Sequence, residues 1–344
     1  MDNILELKDY AVSFDTSEGE VEAVRGINLQ VKEGEILCII GESGCGKTVL
    51  CQSIMHLLPR YARIKSGSAV VCGKDITHAS EREMRKLRGT ALSMVFQDPL
   101  ATLNPTIPVG KQITEAIFKH QKVSREEARK KAIELLTLVG IDQAEARFNL
   151  QPHFFSGGMR QRCVIAVALA TNPKLLFADE PTTALDVTVE AKIIDLLMEI
   201  REKTGISIVF ITHDLGIAAR IADRVAVMYA GKIVELGTAE DIFYDSRHPY
   251  TWGLLSSLPA LAIESGELHS IPGMPPPLLD PPKGDAFAVR NEYALDIDYE
   301  EMPPMFKISD THYAATWLLD PRAPKIEQPK HLVFRGHYEK ELDH

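Results

Sequence analysis

Three short stretches of the chain are apolar at nearly every position: EILCIIG, KLLFADE and ISIVFITHD, each closing on a glycine or on polar residues. Runs of that length suit strands buried on both faces of a parallel sheet. Nearer the start, ILELKDYAVSF and INLQVKEGE mix apolar and polar positions and predict two further strands. A helix is predicted over 47–58, stopped by Pro59, and a long amphipathic one over 187–204. SREEARKKAIELLTLVG opens with Ser124 and Glu127 in capping-box spacing, and Ala128, Ala132, Leu135 and Val139 recur at helical spacing up to Gly140. The middle of the chain, about 100–170, therefore reads as helical. RVAVMYAGKIVELG predicts a hairpin turning near Ala230 and Gly231. Strands separated by helices predict an α/β domain with a largely parallel sheet.

Beyond Tyr250 proline becomes frequent and the periodicity weakens, which divides the chain into residues 1–252 and 253–344. PPPLLDPP favours extended, polyproline-like backbone, the geometry of a spacer. The formal net charge of −10 argues against a general nucleic-acid binder, which needs a basic face. No apolar run approaches the roughly 20 residues of a membrane span, and the N-terminus has no leader pattern. Any membrane role is thus expected to run through partners. The five cysteines, Cys38, Cys45, Cys51, Cys72 and Cys163, have no C-x-x-C spacing and read as reduced, buried thiols.

The chemistry sits at strand ends. GESGCGKT, comprising Gly41, Glu42, Ser43, Gly44, Cys45, Gly46, Lys47 and Thr48, lies between an apolar strand and a helix. In that context the pattern is a phosphate loop: backbone N–H groups and the helix start face an anion, Lys47 reaches the β/γ-phosphates, and Thr48 supplies a hydroxyl to Mg²⁺. The LLFADE strand delivers Asp179 to the metal shell and Glu180 to the attacking water. FSGGMRQR begins a helix at Ser156, Gly157 and Gly158, readable either as a simple Ser N-cap with a flexible glycine pair or as a second anion-binding end, whose economical explanation is a nucleotide held on a partner subunit.

Taken together these residues resemble the ATP-binding subunits of ABC transporters, whose elements occur here in order: the phosphate loop, Gln97 in VFQDP, FSGGM, FADEPTTALD and His213 in ITHD. The resemblance implies a P-loop ATPase with a RecA-like core, an antiparallel β subdomain and a helical subdomain, followed by a small irregular C-terminal module. It implies that Gln97 lies on the loop that senses the γ-phosphate and contacts the membrane subunits and is a Mg²⁺ ligand, that Asp186 lies in a loop exchanged across a dimer, and that His213 touches the γ-phosphate. Phe14 is the first choice for stacking on adenine and Tyr10 the second, either being also readable as a core aromatic. AVRGINLQVKEGE, VFQDPLATLNPT, SGGMRQR, FADEPTTALDVTV and HPYTWGLLSSLP are similar to oligopeptide/dipeptide importer ATPases, and Met159 in the signature resembles the D-type member of that ATPase pair. This likeness implies ATP and Mg²⁺ as ligands, a homologous second ATPase, two membrane permeases, an external substrate-binding protein, and a peripheral place on the cytoplasmic face of the membrane. Nickel importers are a close alternative. A soluble ABC ATPase of DNA repair, chromosome organisation or translation is a more distant one, disfavoured by the single cassette, the lack of coiled-coil or zinc insertions and the acidic balance.

The C-terminal region has its own frame. Many relatives in that importer family show G-C-x-F-x-x-R-C and further cysteines, associated with an iron–sulfur cluster. Here GDAFAVRN and HYAATWLL keep the frame, but Asp285, Asn291, Asp298 and Thr316 stand at the cysteine positions. Such oxygen and amide groups cannot replace thiolates on soft iron–sulfide chemistry, so no cluster is expected. Phe287, Tyr293, Tyr313 and Trp317 predict a small folded module instead.

Overall fold

The computed structural model of the chain describes residues 2–183, 185–258, 271–329 and 332. In chain order the strands are β1 (Asn3–Thr16), β2 (Gly19–Lys32), β3 (Ile36–Ile40), β4 (Ala62–Val71), β5 (Lys74–Asp75) and β6 (Leu92–Val95), then β7 (Leu175–Asp179), β8 (Ser207–Ile211), β9 (Arg224–Tyr229), β10 (Lys232–Thr238), β11 (Phe306–Lys307) and β12 (Tyr313–Ala314). They form an antiparallel sheet in the order β2-β1-β4-β5 and a larger mixed sheet in the order β11-β12-β10-β9-β3-β8-β7-β6. The pairings from β6 through β7, β8 and β3 to β9 are all parallel.

Both faces of this parallel block are covered, as its continuous apolar runs require. Alternation along β3 sends Ile36, Cys38 and Ile40 into one core and Leu37 and Ile39 into another. The first core includes Val109, Ile113 and Ile117 of the helix Val109–His120, Ala128, Ala132 and Leu136 of Arg125–Leu138, and Val164 and Ile165 of Gly157–Leu169. The second is closed by the antiparallel sheet through Leu5, Leu7, Val12 and Leu29. Tyr10 is wholly buried among them, so the second choice for adenine stacking is a core residue and cannot reach a base.

Most of the local signals have a direct counterpart. Ser124 and Glu127 form a reciprocal capping box at Arg125–Leu138, and Gly140 follows with φ 73°. Ala230 and Gly231 both have positive φ, 44° and 80°, as the tight turn of a β9–β10 hairpin needs. The helix predicted over 47–58 instead ends at Ile54. His56 takes left-handed backbone, φ 51°, and breaks the spiral before Pro59 is reached. Four of the cysteines are buried as expected, but Cys72 is exposed.

The C-terminal residues build onto the main sheet. β12 pairs antiparallel with β10, matching Glu235 to Ala314 and Leu236 to Tyr313. Ala286 and Phe287 belong to the same core as the helices Val109–His120, Arg125–Leu138 and Gly157–Leu169. Phe287 packs edge-on against Tyr229 and Tyr250, with ring centroids 5.3 Å from each. The helix Pro249–Ser256 itself spans the division placed at 252/253, so packing is continuous there. Truncating Phe287 leaves a hole that Tyr229 and Tyr250 cannot fill by rotation. Phe287→Ala is expected to cost about 3–5 kcal/mol of stability, read by thermal or urea denaturation; a cost below about 1 kcal/mol would contradict a shared core.

Candidate functional site

The loop of residues 41–48 leaves β3 with no room for side chains at two points. Gly41 has φ 150°, and a Cβ there would lie 2.1 Å from the Met228 carbonyl oxygen. Gly46 has φ 102°, with the Ala23 carbonyl oxygen 2.3 Å from its missing Cβ. Only glycine fits this close approach of three backbones. The helix Lys47–Ile54 then begins at Gly46 with no side-chain cap, which leaves its first-turn N–H groups facing outward to a ligand. Lys47 is buried and its Nζ donates to the Gly41 and Glu42 carbonyls at 2.7 and 2.9 Å. The lysine is therefore held within the loop by bonds that phosphate oxygens can replace.

Carboxylates meet this loop from the neighbouring strand end. Thr48 Oγ1 donates to Asp179 Oδ1 at 3.0 Å. Burial, and then the neighbouring Glu180 charge, push the Asp179 carboxyl above the usual range, while the Thr48 hydroxyl and Lys47 oppose the shift. Glu180 has left-handed backbone, φ 44°, uncommon for such a side chain and characteristic of strained functional positions. Its Oε2 accepts from Gln97 Nε2 at 3.2 Å and from Thr183 Oγ1 at 3.0 Å, and its Oε1 lies 3.3 Å from His213 Nδ1. Gln97 follows β6, Glu180 follows β7 and His213 follows β8, so parallel strands bring all three to the edge where β3 releases the phosphate loop. Thr183 has no part in the sequence reading, although it stands within FADEPTTALD.

Other expected residues lie apart from this cluster. Ser156 caps Gly157–Leu169 by accepting from the Met159 N–H at 3.4 Å, and Gly158 abuts Val189 closely enough to leave no space for a Cβ. Met159 Sδ lies 3.4 Å from Arg147 Nη1. Asp186 caps Val187–Thr204, accepting from the Val189 N–H at 2.9 Å. Among the described residues no hydrogen bond or ion pair joins Ser156, Gly157, Gly158, Met159 or Asp186 to residues 41–48. Phe14 is half-buried on β1, its ring centroid 5.9 Å from that of Tyr61.

A phosphate loop, an acidic strand end and a glutamate held by three polar neighbours define a P-loop nucleoside triphosphatase. The family model for ABC transporters matches residues 24–183, and the model for the oligopeptide/dipeptide transporter C-terminal region matches residues 234–297. The oligopeptide transport ATP-binding protein OppD of Bacillus subtilis (strain 168) is 60% identical over 330 residues, spanning 95% of this chain and 92% of that protein. The dipeptide transport ATP-binding protein DppD of Lactococcus lactis subsp. cremoris (strain MG1363) is 52% identical over 335 residues, 97% of this chain and 96% of that protein. Among solved structures, the ATP-binding cassette MJ0796, in a dimeric post-hydrolysis state bound to ADP and Pi, superposes with TM-score 0.61 at 30% identity, covering 68% of this chain and 98% of that one. The chain belongs to the ABC transporter ATP-binding proteins of the oligopeptide/dipeptide type, and is an ATPase of that family.

The C-terminal frame does not fit an iron–sulfur cluster. Asp285, Asn291, Asp298 and Thr316 are all buried, and each accepts a local backbone N–H. Asp285 Oδ1 serves Phe287, Asn291 Oδ1 serves Tyr293, Asp298 Oδ2 serves Leu295 and Thr316 Oγ1 serves Leu318, at 3.0, 3.0, 2.7 and 3.3 Å. The four hold turns with hard oxygen atoms and offer no thiolate to iron. Burial, opposed by the Phe287 N–H and aided by the Asp298 charge, pushes the Asp285 carboxyl up from 3.8 to about 6. Folding therefore favours its protonated form. Its stabilising contribution is complete below the unfolded value and is lost as pH rises through about 6. Asp285→Asn keeps the acceptor and removes the charge, so it is expected to stabilise the chain at pH 8 by about 1–3 kcal/mol, with the gain fading towards pH 4. Paired melting curves of variant and parent across that range check this; an advantage independent of pH would contradict it.

Proposed function

We propose that this chain is one of two ABC-type ATPase subunits that power the import of oligopeptides or dipeptides through a pair of membrane permeases fed by an external binding protein. The observation that carries the reading is the convergence of Lys47, Thr48, Asp179, Glu180, Gln97 and His213 at one sheet edge. The peptide cargo rests on the relatives named for oligopeptide and dipeptide transport. Among the described residues no helix is long and apolar enough to cross a membrane, which accords with a peripheral subunit held at the cytoplasmic face by its permeases.

In this reading Lys47 exchanges the Gly41 and Glu42 carbonyls for β- and γ-phosphate oxygens, and the helix start of Lys47–Ile54 supports the phosphates with its N–H groups. Thr48 Oγ1 and Asp179 Oδ1, 3.0 Å apart, together with Gln97, are oxygen donors suited to a Mg²⁺ ion, which when bound would neutralise phosphate charge. Glu180 orients the attacking water and accepts its proton. Gln97, Thr183 and His213 fix the carboxylate for that task, and His213 in turn reaches the γ-phosphate. Ser156–Met159 face a nucleotide on the second ATPase, and Asp186 stands in the loop exchanged between the two. Phe14 carries the adenine.

The division of labour is testable at Glu180. Glu180→Gln is expected to retain ATP affinity within about twofold and to lose at least about 100-fold in kcat, measured by equilibrium binding and phosphate release. Normal turnover would remove Glu180 from its role. The chain is expected to co-purify with integral membrane subunits, whereas co-purification with ribosomes or DNA would favour a soluble ABC machine. It is also expected to carry no stoichiometric iron or sulfide, and a visible absorption band with both would overturn that assignment.

A further inference from the structure

Glu42, the second residue of the phosphate loop, is held at every polar group it has. Its N–H donates to the Tyr250 hydroxyl at 2.8 Å, and its carbonyl accepts from Lys47 Nζ at 2.9 Å. Its carboxylate takes a two-point bond from the C-terminal region, Arg290 Nη1 to Oε2 at 2.6 Å and Arg290 Nη2 to Oε1 at 2.8 Å. The planar fork of arginine fixes a carboxylate in orientation as well as in position.

Arg290 is itself immobilised. It is only 6% exposed, Nε donates to the Pro272 carbonyl at 2.7 Å, and Nη1 also reaches the Tyr229 hydroxyl at 3.2 Å. The guanidinium lies over the rings of Tyr229 and Phe287, at 5.7 and 6.0 Å from their centroids. Phe287 and Arg290 are the two side chains that the GDAFAVRN frame retains between Asp285 and Asn291, and both are turned toward the ATPase. The acid that Arg290 grips belongs to the loop that must hold the shape of a polyphosphate.

We propose that Arg290 is a positioning residue for ATP binding, acting through Glu42 to hold the phosphate loop in its anion-receiving form, so that the C-terminal region is a working part of the nucleotide site. The proposal takes ATP binding at residues 41–48 as given and assigns part of its affinity to a residue nearly 250 positions away, 248 by sequence separation. Losing the fork frees the Glu42 side chain, and the loop backbone that must surround the phosphates loses one of the anchors that fix its shape. The penalty falls on binding more than on the chemical step, because among the described residues no hydrogen bond or ion pair joins Glu42 or Arg290 to Glu180, Gln97, Thr183 or His213.

The test uses the full-length chain with Mg²⁺ and ATP, comparing Arg290→Met, Arg290→Lys, Glu42→Gln and the double variant Arg290→Met with Glu42→Gln. Arg290→Met is expected to raise Kd and KM for ATP about tenfold with kcat changed less than about threefold. Arg290→Lys, which keeps the charge but loses the fork, is expected to fall between that variant and the parent. The double variant is expected to bind no more weakly than the worse single one, because both break one interaction. If Arg290→Met does not fold, the lysine and glutamine variants carry the comparison. Unchanged ATP affinity alongside a lowered Tm would reduce Arg290 to a structural residue and overturn the proposal, as would additive losses. Lys47→Ala separates the two levels of the account: loss of ATP binding there, with none at Arg290→Met, leaves the nucleotide site standing and removes this inference alone.

Discussion

The parallel register of four strands is the constraint on which the site depends. Ile39 of β3 pairs with Ile211 of β8, Ile211 with Asp179 of β7, and Ala178 of β7 with Val95 of β6. One layer of the sheet therefore releases Gly41, Glu180, His213 and Gln97 within a few residues of the same edge. A shift of one residue in any strand would turn its side chains to the opposite face. Register is secured by burial on both faces: Leu37 and Ile39 cannot trade places with Ile36, Cys38 and Ile40 without emptying both cores at once. Packing far from the ligand thus sets the distances of the chemistry.

The same edge shows how a phosphate loop is kept in shape before phosphate arrives. From below, Gly41 and Gly46 touch the Met228 and Ala23 carbonyls, so the β9–β10 hairpin and β2 form a rigid floor. Inside, Lys47 satisfies itself on loop carbonyls. Tyr250 and Arg290 bind Glu42, and these residues come from the helix Pro249–Ser256 and from the C-terminal region. That region also extends the main sheet through β12 and shares its aromatic core through Phe287. The buried side chains of Asp285 and Asn291 hold the turns that present Phe287 and Arg290, so local hydrogen bonds shape this attachment to the loop.

Much of this was legible in the residues. Apolar runs marked β3, β7 and β8, and the groups that follow them, Gly41, Glu180 and His213, are the ones the register brings together. The capping box at Ser124 and the two-residue turn at Ala230 and Gly231 were readable because each rests on a local interaction. Long-range contacts were not. Tyr10 and Phe14 share one strand and look alike in sequence, yet one is inside the core and the other, near the strand's end at Thr16, is half-exposed. β11 and β12 are two residues each and carry no periodicity, so only the partner strand β10 defines them. Arg290 stood in a frame read for its missing thiols, while its acid partner lay in a motif read for its lysine and threonine.

In the proposed assembly this chain holds one face of its nucleotide site, and the signature helix start of a second ATPase supplies the other. Within this chain Ser156 accepts from Met159 and Met159 from Arg147, and the phosphate loop bonds to Asp179, Tyr250 and Arg290. The direct measurement is ATP hydrolysis per chain across a dilution series, with ATP binding and sedimentation followed on the same samples. The account predicts that binding persists at every dilution while turnover per chain falls as the assemblies dissociate, and that adding the second ATPase restores it. Constant turnover per chain among sedimenting monomers would contradict it.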